Sequence, residues 1–160
     1  SNNNIHKKDL ISIKFKNDKV NKIIFKILTN HDFLALYCRK NEELNNWTFL
    51  GQVSRIKSMK DYPLDKCVEE IFKQVTIDNA PKAKLKQLEK YPDAAIPYAV
   101  FKIEAKYFDG YKGPCSQLWY IVKGKDGLHT ALVAFPLKEF PLAAESHYIK
   151  FFKSSKLINR

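Results

Sequence analysis

Five glycines stand in 160 residues, at positions 51, 110, 113, 124 and 127, and turns or one strand position account for them. None belongs to a G-x-x-x-x-G-K-[ST], G-x-G-x-x-G or G-x-S-x-G arrangement, so the recognised phosphate-cradling loops and the nucleophile elbow are excluded. H-E-x-x-H is missing too. His6, His31, His129 and His147 occur singly, with no second His or Cys at i+3 or i+4, so a metal site would have to be assembled wholly by the fold. Cys38, Cys67 and Cys115 are an odd number without a C-x-x-C pair, which excludes a zinc knuckle and a complete disulfide framework. One disulfide plus a free thiol stays compatible with the count, although Cys38 and Cys67 read more naturally as small buried hydrophobes. No apolar run approaches the roughly 18 residues of a membrane-spanning helix. There is no internal repeat and no low-complexity segment, and no cofactor is expected.

Arginine is scarce while lysine is abundant. The chain carries 28 Lys and Arg against 17 Asp and Glu, a formal net charge of +11, and only Arg39, Arg55 and Arg160 are arginine. Such a surface concentrates polyanions near it. Bidentate reading of phosphate or guanine favours the Arg fork, however, so nucleic acid ranks below a protein or peptide as partner. At 45% hydrophobic and 13% aromatic, the composition is enough for one sizeable core. The reading is a flexible lead over residues 1–8 and a single α+β domain over 9–160. Ser1 with Asn2, Asn3 and Asn4 reads equally as a residue left by a tag or as a trimmed start, joined to a flexible lead.

Ile11, Ile13 and Phe15 alternate with polar residues, and Asn17-Asp18 offers a turn before the apolar run Val20 to Leu28, which together predict a first hairpin. Phe33 to Arg39 and Trp47 to Ile56 predict a second. From Pro63, the residues Leu64, Cys67, Val68, Ile71, Phe72 and Val75 recur at helical spacing, with Asp61 as the expected cap. Pro81 to Tyr91 surrounds Leu85 and Leu88 with Lys82, Lys84, Lys86 and Lys90 and reads as a surface arm. Ala99, Phe101, Ile103, Ala105 and Tyr107 alternate with charges, the pattern of a half-buried strand. Gln117 to Lys123 and Leu128 to Phe135 flank Gly124-Lys125-Asp126-Gly127 and predict an antiparallel hairpin. Leu142 to Phe152 predicts a closing helix, and Lys156 to Ile158 a short edge strand. Strands, helix, strands, helix without βαβ alternation imply an antiparallel sheet of hairpins covered by helices.

The candidate residues follow from chemistry. Cys115 and His129 flank the Gly124–Gly127 hairpin and are the one pair that a fold-assembled hydrolase could use, although no third orienting group is indicated. Trp47, Tyr98 and Trp119 could line a groove, and Lys82, Lys84 and Lys86 form the densest basic stretch. Three readings result: a non-catalytic module binding a protein or peptide, a small hydrolase with a Cys/His site, and a polyanion binder. The first is favoured, because no constellation supports chemistry.

Ala99-Val100-Phe101-Lys102-Ile103, then Leu118-Trp119-Tyr120-Ile121-Val122, Asp126-Gly127, Leu132-Val133-Ala134-Phe135 and the ending Phe151-Phe152-Lys153-Ser154-Ser155-Lys156-Leu157 resemble the PsbP-like superfamily. That superfamily includes the Mog-type Ran-binding proteins and the DcrB-like lipoproteins. The resemblance covers Phe33 to Ile158. It implies an α/β/α sandwich acting as an accessory, chaperone-like or envelope-associated binding module, with an exported location favoured over a cytoplasmic one.

Overall fold

The computed structural model describes residues 9–11, 15 and 21–159. The strands are β1 (Asp9–Ile11), β2 (Asn21–Leu28), β3 (Phe33–Arg39), β4 (Leu50–Ile56), β5 (Lys84–Tyr91), β6 (Tyr98–Phe108), β7 (Gly113–Lys123), β8 (Leu128–Phe135) and β9 (Leu157–Asn159). Helix α1 (Leu64–Thr76) follows β4, and α2 (Leu142–Lys153) follows β8. Seven strands form one sheet in the order β2-β3-β4-β8-β7-β6-β5, with every neighbouring pair antiparallel. The class is α+β. Two meanders, β2-β3-β4 and β5-β6-β7-β8, join where β4 pairs with β8, for instance Val53 opposite Ala131.

Alternation along the strands gives the sheet two apolar faces, and each takes one helix. Leu64, Cys67, Val68 and Ile71 of α1 pack with Phe101, Ile103, Trp119, Ile121 and Leu132 on the first face. Phe152 of α2, with Tyr148, Ile149 and Phe151 beside it, packs with Val100, Leu118, Tyr120 and Val133 on the second. Phe15 joins the second core, its ring tilted against Tyr37 and Phe151 and edge-on to Phe49. Each fully buried aliphatic side chain contributes about 1.5–3 kcal/mol relative to exposure. No helix among the described residues is long and apolar enough to cross a membrane.

Several expectations are corrected. The first hairpin does not form as read: β1 pairs with β9, Leu10 opposite Ile158, while β2 pairs with β3. The Asn17-Asp18 turn lies outside the described residues. Asp61 does not cap α1, because the cap position is Pro63 and no side chain bonds there; the first turn closes through the Cys67 N–H on the Pro63 carbonyl at 3.1 Å. Pro81 to Tyr91 is no arm, since β5 hydrogen-bonds to β6 as the sheet's edge. Strand β6 is not half-buried either: Lys102 is 6% exposed under α2, and a register shift after Ala105 turns Phe108 inward while leaving Tyr107 exposed.

The β7–β8 turn shows where glycine is required. A Cβ on Gly124 would lie 2.6 Å from the His129 ring, whereas one on Gly113 would meet nothing within 4 Å. Gly124→Ala is therefore expected to cost about 1–3 kcal/mol through overpacking. Gly113→Ala is the control, expected to stay within about 0.5 kcal/mol. Urea denaturation of the two variants checks this.

Candidate functional site

Helix α1 is one cylinder about 10 Å wide lying on a sheet whose seven strands span roughly 29 Å at the usual spacing. It reaches β6 through its apolar stripe and leaves the β2–β4 flank of the first face without a helix among the described residues. Between α1 and that flank runs a groove of about 380 Å3. Its apolar walls are Leu34 of β3, Ile56 of β4, Ile71 and Val75 of α1 and the buried indole of Trp119. Trp119 is held on both sides: its ring stacks on Phe101 with centroids 6.0 Å apart, and its Nε1 donates to Gln117 Oε1 at 2.8 Å.

Polar groups interrupt the walls. Gln52, Ser54 and Gln74 line the groove, and the Ser54 hydroxyl bonds the Thr130 hydroxyl at 2.5 Å in the row behind. The rim at the β2–β3 turn is built by Thr29, whose Oγ1 accepts the Asp32 N–H at 2.8 Å and the His31 N–H at 3.2 Å. Asp32 Oδ1 in turn accepts the Lys57 N–H at 3.0 Å, tying that rim to the end of β4. A mostly apolar cleft with a few placed polar groups is the general form of a site that takes up apolar groups.

The candidate residues divide among different places. Trp119 lies in the groove, but Trp47 is buried elsewhere on the same face, edge-on to Tyr111 at 5.0 Å. Tyr98 is on the opposite face, stacked on Tyr91 and tilted against Tyr120, and with Ile96, Ser155 and Leu157 it lines a second recess of about 340 Å3. Lys82 precedes β5, while Lys84 and Lys86 stand opposite Glu104 and Lys102 and are exposed on the α2 side.

Cys115 and His129 are not brought together. Cys115 shares the α1 face with Trp119, whereas His129 is opposite Val122 on the other face. Seven residues of strand separate Cys115 from Val122, roughly 23 Å. Burial pushes the Cys115 thiol up to about 12, only partly opposed by a contact from Gln117. Cys38 and Cys67 are raised by burial as well, and all three are free thiols. Unfolded thiols ionise near 9. The contribution of Cys115 to stability is therefore present below pH 9 and lost as pH rises from about 9 to about 12. Denaturant melts between pH 8 and pH 10.5 should show falling stability, with a shallower fall in Cys115→Ala. His31, in the β2–β3 turn, and His147, on α2 beside Tyr148, lie apart from one another, and the described residues hold no grouping of three metal-ligating side chains.

Nothing local in the sequence marks Leu34, Ile71 and Val75 as groove residues. Their apolar spacing says that they face a core, not that the core runs out beside them. No protein-family model matches the sequence, and no curated protein is significantly similar to it.

Proposed function

We propose that this chain is a non-catalytic binding module for a protein or peptide partner, and that the groove between α1 and β3–β4 receives the partner's apolar side chains. The carrying observation is the groove itself, about 380 Å3 and walled by Leu34, Ile71, Val75 and Trp119. That size falls at the lower end of the roughly 300–1,000 Å3 common for ligand clefts. One helix on each face of an antiparallel sheet also supports the sandwich implied by the resemblance to the PsbP-like superfamily, whose members act as accessory or chaperone-like modules.

Peptides selected from a random display library against the native protein test this. Leu34→Asp and Val75→Glu should each weaken a selected peptide by more than about tenfold, since each sets a charge against a desolvated apolar contact. Circular dichroism and thermal melts establish that the variants fold. Peptide affinity unchanged in both folded variants would refute the groove.

A further inference from the structure

The two edges of the sheet differ in a way that the core does not require. Strand β5 presents exposed Lys84, Lys86 and Lys90 among Leu85, Leu88 and the exposed Tyr91, so this edge is guarded by charge. Strand β2 presents Ile23, Phe25, Ile27 and Leu28 at 52, 50, 41 and 65% exposure. Among the described residues β2 pairs only with β3.

Register sets the direction of these side chains. Phe25 is opposite Leu36 and Ile27 opposite Leu34, so both lie on the α1 side and continue the groove's apolar wall to the edge. Lys26 is opposite Ala35 on the α2 side and is exposed. The shift between Ile23 and Phe25 leaves Phe25 to Leu28 as the regular part of the edge. A chain of net charge +11 attracts acidic partners and repels basic ones.

We propose that the partner adds a strand to β2: a short extended segment, apolar on the α1 side and acidic where it faces Lys26. This rests on the reading that the partner is a protein or peptide and names how it is held. Main-chain hydrogen bonds along the edge give affinity, and alternate side chains give the choice of sequence. The apolar half of that alternation meets Phe25 and Ile27, and on the other side an acidic residue meets Lys26 next to Leu28, which is opposite Phe33.

An eight-residue peptide alternating valine and glutamate is the probe, with a valine–lysine counterpart and a valine–glutamate version N-methylated at alternate amides. The valine–glutamate peptide should bind at least about tenfold more tightly than either other form, with the order of the two charged peptides reversed in Lys26→Glu. The double variant Phe25→Lys with Ile27→Lys, both at exposed positions, should lose binding. Lys84→Glu with Lys86→Glu should leave it within about twofold, because that edge lacks the apolar row. Binding lost in the β5 variant but kept in the β2 variant would overturn the proposal, as would absence of binding by all three peptides. A peptide that ignores methylation yet is lost in Leu34→Asp and Val75→Glu would overturn strand addition and keep the groove. Sensitivity to methylation with indifference to those two substitutions would do the reverse.

Discussion

Replacing Lys102 by methionine should lower the unfolding free energy by about 3 kcal/mol, the lower part of the range for removing one partner of a buried ion pair. Lys102 Nζ lies 2.9 Å from Glu145 Oε2 and 4.0 Å from Glu104 Oε2, and Glu104 also accepts the Phe140 N–H at 2.6 Å. These contacts fasten α2 and the segment before it to the middle of β6. The substitution leaves two carboxylates facing each other without the cation that separated them. Glu145 and Glu104 keep 18 and 22% of their side-chain surface, so water relieves part of the cost. Replacing Lys102 and Glu145 together by methionine should recover most of the loss, because a buried pair exchanged for apolar groups of similar volume is often neutral. Urea denaturation of the single and double variants separates the two cases. A single variant within about 0.5 kcal/mol of the parent would show that the pair does not hold α2.

Phe152→Ala should cost about 3–5 kcal/mol, as truncation of a fully buried aromatic does. Its ring has no exposed surface and stacks on Tyr120 at 5.9 Å, with Tyr148 and Phe151 as further neighbours. No smaller side chain on α2 can fill that space without moving the helix. Phe72→Ala on α1 is the comparison. Phe72 is only partly buried at the border of the first core, so about 1–2 kcal/mol is expected there. Equal losses at the two positions would contradict this arrangement of the helices.

Local order was legible wherever one element buries one face. Leu64, Cys67, Val68 and Ile71 repeat at helical spacing, and α1 runs from Leu64 to Thr76. The Gly124–Gly127 turn joins strands in register, with Ile121 opposite Thr130. What could not be read depends on distant pairing. Strand β4 meets β8 only because the second meander returns to the middle of the sheet, and nothing near Leu50 to Ile56 announces it. Strand β5 was disguised by its lysines, and a register shift between Gln87 and Glu89 breaks the alternation that would have revealed it. Lys102 looked solvated because its strand alternates apolar and charged residues. Only the placement of α2 buries it.

The groove was hidden for a related reason. Sequence counts apolar residues, but whether they are covered depends on the width of the sheet against the number of helices laid on each face. The apolar run Ile23-Ile24-Phe25 followed by Ile27-Leu28 carried the one local signal, since an edge strand with one face on a core needs no such continuity. The same run also fits an ordinary hairpin strand.

Trp119 offers the most direct test, because it walls the groove while the other tryptophan, Trp47, is packed against Tyr111 away from it. In Trp47→Phe, emission comes from Trp119 alone. Titrating a selected peptide into that variant should give a saturable change in emission, with a midpoint equal to the Kd from calorimetry, and the change should vanish when Leu34→Asp is added. A peptide that binds by calorimetry with constant Trp119 emission, and binds equally well after Leu34→Asp, would place its site elsewhere and contradict the groove as the binding surface.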